Sequence, residues 1–352
     1  MLDYLIVGCG LSGMALAEKL RQRGRSFKVV DQGGSGASQV AAGLYNPVVL
    51  KRLNPIWEAH RQMATSPGFY QELEKRLGIH AVHRVPILRL LHNPAEQNAW
   101  FEGAASTKLQ AFLDPQLETV QNGSIKAPMG FGKVLGTGWV DTSLLLNAFA
   151  EWLLGQGHLL RERFEHDALQ PEDNSGGASW SYRELKVRNI IFCEGFGLKA
   201  NPYFNYLPLQ GTKGEYLTIH APELQEQHII KSSVFLIPLG NHRYRVGATY
   251  SWNDFEATPT AAARKELQEK LERFLTCGYT IEGQTAGIRP TVPDRRPLVG
   301  KHPEKPGLYV MNGMGSRGVL IAPFAADELL QHIENGATLP PEMDILRFPG
   351  YF

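Results

Sequence analysis

At 352 residues the chain is long enough for two domains rather than one small core. It has 43% hydrophobic and 20% charged residues, as an ordinary globular protein does, and 36 Lys plus Arg against 35 Asp plus Glu argue against an obligate nucleic-acid surface. Three widely spaced cysteines, Cys9, Cys193 and Cys277, fit neither a disulfide frame nor a zinc knuckle, and no apolar run approaches the roughly 18 residues of a membrane span.

Leu2 to Val7 is a short apolar strand, followed at once by Gly8-Cys9-Gly10-Leu11-Ser12-Gly13 and a helical stretch, Met14 to Arg23. With a strand this close to Met1 no signal peptide is expected, and the expected compartment is the cytoplasm. A second strand, Phe27 to Val30, ends on Asp31, 18 residues after Gly13. Strand, G-x-G-x-x-G, helix, strand and acid form the order that a dinucleotide site requires. Gly8 permits the tight turn, Gly10 the approach of a pyrophosphate, and Gly13 close packing of helix on strand. The phosphates sit over the helix N-terminus, where unpaired N–H groups favour negative charge. Asp31 is placed to accept hydrogen bonds from a ribose. The motif alone does not separate NAD from FAD.

The small residues from Ala37 to Gly43 suit backbone packed against a flat ligand. Ile56 to Leu77 reads as a helix interrupted near Pro67. From Ala81 to Gly138 short strand-like runs, Val85 to Leu91 and Val120 to Ile125, surround a helix over Pro94 to Leu109, so the chain enters a second domain. Asp141 or Thr142 caps a helix over Ser143 to Leu154. Arg161 to Leu169 and Trp180 to Val187 flank a hairpin loop over 171–178. Asn189 to Cys193 is a strand ending in Glu194-Gly195 and returns to the first sheet.

Gly211 to His220 re-enters the second domain. Val234 to Leu239 and Arg243 to Tyr250 form a hairpin, Thr258 to Leu275 an amphipathic helix, and Gly283 to Pro290 leads back. Leu308 to Met311 is a strand, Asn312 to Gly318 a second glycine-rich turn, and Val319 to Asn335 a helix. Two such turns put two helix N-termini in one domain. One can hold a pyrophosphate. The other can face the edge of a flavin where negative charge accumulates on reduction. An NAD domain needs no second cradle, and colour alone distinguishes the two.

The stretches GSGASQVAAGLYNP, IIFCEGF, VFLIPLGNHRYRVGATYSWND, AGIRPTVPDRRPLVG and GMGSRGVLIAP, in this order, resemble the D-amino-acid oxidase and glycine oxidase family over essentially the whole chain. The residue pattern by itself supports a Rossmann-type domain with an inserted α+β domain. The resemblance implies an α/β FAD-binding Rossmann-type domain of the glutathione-reductase-like kind, with a substrate domain built on a mixed β-sheet. Its expected segments are 1–80, 140–210 and 286–352 for the cofactor, and 81–139 and 211–285 for the substrate.

By the same resemblance Gly8, Gly10, Leu11, Ser12 and Gly13 match the pyrophosphate turn, and Asp31 with Gln32 the ribose site. Ser38, Ala42, Gly43 and Leu44 match the loop beside the flavin. Phe164 falls where relatives touch adenine through their backbone, and Cys193, Glu194 and Gly195 match a strand end near the cofactor. Gly313, Gly315, Ser316, Arg317, Gly318 and Val319 match the turn over the flavin's pyrimidine side.

Arg289 falls on the position that clamps a substrate carboxylate, which a planar guanidinium can do bidentately. Arg317 matches a second arginine lining that pocket. Phe235 stands where glycine oxidase has a tyrosine, so one hydroxyl is missing. Tyr250 or Tyr244, on one face of the next strand by period two, is the expected substitute, and Arg289, Arg317 and Tyr250 are the candidate catalytic residues. Gly287 occupies the position of the flavin-linking cysteine of monomeric sarcosine oxidase, which implies noncovalent FAD.

The implied reaction is oxidation of the C–N bond of a small carboxylate-bearing amine (glycine, a D-amino acid or an N-substituted glycine), with hydride passing to flavin N5. Oxygen or another carrier takes the electrons. Two alternatives stay open. One is an oxidase of carboxymethylaminomethyl-uridine in tRNA, against which the missing methyltransferase half and the neutral charge both argue. The other is a non-catalytic flavin-binding redox subunit.

Overall fold

The computed structural model describes residues 1–34, 36–119, 122–172 and 179–349. Its first sheet has a parallel centre: Leu159–Leu160, Phe27–Val30, Leu2–Val7, Leu185–Phe192 and Leu308–Asn312, in that order across the sheet. Leu298–Lys301 adds an antiparallel edge beside Leu308–Asn312. The central strands are buried on both faces, as apolar runs such as LIV and NIIF require.

Helix Leu11–Gln22 packs on this sheet through Met14, Ala15, Leu16, Ala17 and Leu20. Helix Gly318–Asn335 lies beside it, apolar over most of its first half. Helix Thr142–Gly155 begins at Asp141, whose side chain accepts from Leu144 N–H at 3.0 Å. Removing such a cap costs about 1 kcal/mol.

Helix Ala59–Leu77 runs unbroken through Pro67, against the interruption expected there. Tertiary packing overrides the proline: Phe69, Tyr70 and Leu73 are buried, and Ser66 Oγ donates to the Leu320 carbonyl at 2.6 Å. The strand expected over Val120 to Ile125 lies partly outside the described residues. Its end turns instead, with Ile125 making one isolated bridge to Leu275. The loop expected over 171–178 falls mostly outside the described residues, between paired strands Leu169–Glu172 and Ser179–Tyr182.

The second large sheet is mixed. Its order is Thr280–Thr291, Gln210–His220, Arg243–Gly247, Phe235–Gly240, Ile229–Lys231, Ile87–Leu90, Phe131–Val134 and Leu113–Glu118. Only Ile229–Lys231 and Ile87–Leu90 pair in parallel. One face is covered by helix Ala261–Glu272, whose Leu267 and Leu271 share a core with Leu217, Ile219, Leu236, Tyr244 and Val246. The other face roofs the cleft described next. Strand Thr280–Thr291 stays in this sheet across the boundary expected at 286.

Candidate active site

A cleft of about 1270 Å³ lies between the two sheets. Its floor is the first glycine turn. Gly8 has φ +97°, and a Cβ there would lie 2.6 Å from the Cys193 carbonyl oxygen. A Cβ on Gly13 would lie 1.9 Å from the Gly8 carbonyl oxygen, so only glycine lets helix and strand approach this closely. Gly13 thus shapes the turn from behind, while Gly8, Gly10, Leu11 and Ser12 line the cleft. Gly10 caps the helix with no side chain of its own, and Leu11 N–H donates to Ser38 Oγ at 3.2 Å.

Asp31 Oδ2 accepts from Cys9 N–H at 2.6 Å and Oδ1 from Gly33 N–H at 2.7 Å. The carboxylate therefore braces the turn, with lone pairs left for a further donor. Gln32 lines the cleft beside it. Arg161, which the sequence reading passed over, also lines the cleft and comes within 3.8 Å of Asp31. Phe164 does not line the cleft: its ring stacks on Tyr182 at 4.4 Å inside the core.

Ser38, Ala42, Gly43 and Leu44 form one wall. Cys193, Glu194 and Gly195 form another, with Glu194 held by His166 at 3.0 Å and Asn201 at 2.6 Å. Burial, then the neighbouring Asp31, pushes the Cys9 thiol up to about 12. Burial raises Cys193 well above its ordinary value too. Neither is a thiolate nucleophile near neutral pH.

The second glycine turn meets the first. A Cβ on Gly318 would lie 3.1 Å from Leu11 Cδ1, so the two helix N-termini converge. Gly315, Ser316, Arg317, Gly318 and Val319 line the cleft; Gly313 is packed under Val292 and Leu298. Asn312, one residue before the expected turn, also lines the cleft. Its Nδ2 donates to the Gly195 carbonyl at 3.0 Å and its Oδ1 accepts from Gly313 N–H at 2.7 Å, which joins the two strand ends.

Arg289 and Arg317 both reach the cleft. Arg289 is 8% exposed; it donates to the Thr249 carbonyl at 3.3 Å and to Tyr216 Oη at 3.4 Å. Its guanidinium lies 4.6 Å from the Tyr250 ring centre. Arg317 donates to the Asn46 carbonyl at 3.2 Å, and burial lowers its pKa. Among the described residues neither arginine has a carboxylate partner within ion-pair distance. Tyr250 lines the mouth and is exposed.

Tyr250 and Tyr244 do not share a strand face. The strand ends at Gly247, and Tyr244 points into the core, where its hydroxyl accepts from Glu226 N–H at 3.0 Å. The hydroxyl beside Arg289 comes from Tyr216, on the neighbouring strand. Sequence reasoning also missed Arg245, on the roof, which donates to the Ala41 carbonyl at 2.9 Å. Alternation from the buried Tyr244 and Val246 would have found it.

Comparison with known proteins agrees with this fold. Glycine oxidase from Geobacillus kaustophilus is 24% identical over 365 residues, covering 96% of this chain and 95% of that protein. The tRNA 5-methylaminomethyl-2-thiouridine biosynthesis bifunctional protein MnmC from Azoarcus sp. is 25% identical over 97% of this chain, which spans only 58% of that relative's length. The crystal structure of iminodiacetate oxidase from Chelativorans sp. BNC1 superposes with a TM-score of 0.78 at 22% identity, over 97% of this chain and 98% of the other. A profile of the DAO family, described as FAD dependent oxidoreductase, matches residues 3–332, and the chain belongs to that family.

Proposed function

We propose that this oxidoreductase oxidises the C–N bond of a small amine that carries a carboxylate: glycine, a D-amino acid or an N-substituted glycine. The observation that carries the reading is Arg289, a buried guanidinium without a carboxylate partner among the described residues, set in the roof of the cleft. A buried cation of this kind is stabilised by an anionic ligand, and a carboxylate matches its fork.

The residues fit FAD. Two helix N-termini converge at Leu11 and Gly318, and the Gly8, Gly13 and Gly43 backbones leave no room for side chains against their neighbours. Gly8, Gly10, Leu11, Ser12 and Ser38 would hold the pyrophosphate, and Asp31, Gln32 and Arg161 the ribose. Ala42, Gly43, Leu44 and the 315–319 turn would hold the ring system. Segments 1–80, 140–210 and 292–352 hold the cofactor in this reading; 81–139 and 211–291, with strand Thr280–Thr291 whole, shape the substrate space. Bound FAD supplies the acceptor for hydride.

The chain's own groups bind and orient. Arg289 holds the substrate carboxylate, Tyr216 and Thr249 fix the guanidinium, and Tyr250 covers its open side. Phe235 and Ile288 keep water from the reacting carbon.

The test is anaerobic mixing of the holoenzyme with a panel of amino acids and N-alkylglycines, with flavin bleaching as readout. Arg289→Leu should cost at least about 30-fold in kcat/KM, or roughly 2 kcal/mol, as expected for a partner removed from a buried charge pair. Unchanged bleaching and unchanged affinity for carboxylate inhibitors in that variant would remove the reading.

A second reading keeps the chemistry and changes the size of the substrate: carboxymethylaminomethyl-uridine in tRNA. Tyr250, Trp252 and Phe255 are exposed at or next to the mouth, and aromatic rings so placed can stack a nucleobase. A salt-sensitive mobility shift with bulk tRNA would favour it.

A further inference from the structure

The roof carries a further cation besides Arg289 and Arg245. Lys231 lines the cleft, and among the described residues its one side-chain hydrogen bond is Nζ to the Ser232 carbonyl at 2.6 Å. Its ammonium lies 4.8 Å from the Phe235 ring centre. Directly beside it in the strand register is Arg89, whose Nη1 is buried without a hydrogen-bond partner. Among the described residues no carboxylate ion-pairs with either. Glu96, the acid nearest in effect to Arg89, stays beyond ion-pair distance.

Two like charges held side by side and half-buried are costly unless an anion joins them. Burial, with Arg89 and Lys270 beside it, pushes Lys231 down to about 8. Burial and like charge both work against the ammonium, and an anion beside it would offset them.

The position of the pair gives the ligand a length. Tyr216, Gly247, Phe235, Lys231 and Arg89 are cross-strand neighbours in one row of the sheet. Tyr216 touches Arg289 at the start of that row. Three strand spacings separate the Tyr216 and Lys231 backbones, about 14 Å at roughly 4.8 Å each. The two side chains reach inward along this span. The Tyr216 ring leans over Gly247, where a Cβ would lie 2.3 Å from its Cδ1. Tyr216, Gly247, Phe235 and Lys231 all line the cleft, so an extended molecule can lie along the row beneath them.

We propose that the substrate is a diacid, an amine whose first carboxylate meets Arg289 and whose second, on an arm of several atoms, is bound by Lys231 backed by Arg89. This rests on the amine-oxidase reading and narrows it to N-(carboxyalkyl)glycines and amino acids with a distal acid.

The experiment compares N-(3-carboxypropyl)glycine with its terminal primary amide on the holoenzyme at pH 7, by kcat/KM and anaerobic flavin bleaching. A parallel titration follows the flavin spectrum as glutarate or its monoamide is added. The acid should be favoured at least tenfold in both arms. Lys231→Met should bring the ratio near one, and Lys231→Arg should retain most of it; flavin content and Tm report whether each variant is folded. Equal values for acid and amide in the wild type, or a preference that survives Lys231→Met, overturns the proposal. If neither compound is oxidised the amine-oxidase reading is in question, and the glutarate titration still decides the second anion site.

Discussion

Gly214 lies directly against the Arg289 guanidinium: a Cβ at residue 214 would come within 1.9 Å of Arg289 Nη2. The glycine is therefore the seat of the arginine head, on the strand that pairs Thr212 with Arg289. Gly214→Ala should displace the guanidinium by about an ångström. Misplacement of that size costs about tenfold to a hundredfold in kcat/KM. Carboxylate inhibitors should weaken in parallel, while flavin content stays at the wild-type level. Flavin loss in this variant would place residue 214 in the cofactor site.

Tyr216→Phe removes the hydroxyl that accepts from Arg289. The contact is long and one of two, so the expected loss is about 1 kcal/mol, roughly fivefold in KM. The reverse change at the facing position, Phe235→Tyr, restores a hydroxyl on the other side of Gly247 and should lower KM for glycine. Steady-state kinetics on both variants and the double variant measures the coupling.

Gly13→Ala sets a Cβ against backbone that cannot yield, so helix Leu11–Gln22 must shift off its strand. Overpacking of this kind costs about 1–3 kcal/mol. The variant should purify colourless with a lower Tm. Acid precipitation of the wild type should release its flavin into the supernatant. Gly287 offers no nucleophile, and the Cys9 and Cys193 thiols stay protonated. A yellow pellet contradicts noncovalent binding.

Lys231 gives the pH dependence its sign. Its value of about 8 is depressed, so the head is charged below pH 8 and neutral above. The groups acting on it are Arg89 on the adjacent strand and Lys270 on the covering helix, both cations; Phe235 on the third side is neutral. The preference for a diacid in kcat/KM should hold below pH 8 and fall towards one above it, as the charged fraction of Lys231 drops about tenfold per unit. Folding follows the opposite course. The charged form is penalised in the folded protein, so stability rises between about 8 and the ordinary 10.5. Tm against pH for the wild type and Lys231→Met separates this contribution from the rest.

The floor of the cleft was legible because glycine is irreplaceable where backbones touch. Gly8, Gly13 and Gly43 stand in the sequence as bare spacings and in the structure as contacts no Cβ permits. The two glycine turns were readable as a pair for the same reason. The roof was less legible. Its side chains come from strands distant in sequence, and register, which no local pattern displays, decides that Tyr216 rather than Tyr244 reaches Arg289. Pro67 was misread because burial of Phe69, Tyr70 and Leu73 just beyond it holds the helix together through the proline. Asn312 was overlooked since one polar residue before a glycine turn has no periodicity to betray it.

The Gly315 N–H donates to the Pro290 carbonyl at 2.8 Å, immediately after Arg289. This bond fastens the strand that presents the arginine to the second glycine turn, which lines the cleft. The ceiling of the chamber cannot hinge upward without tearing it. Tyr250, exposed at the mouth with its ring centre 4.6 Å from the guanidinium, stands where a molecule approaching Arg289 meets an aromatic face first.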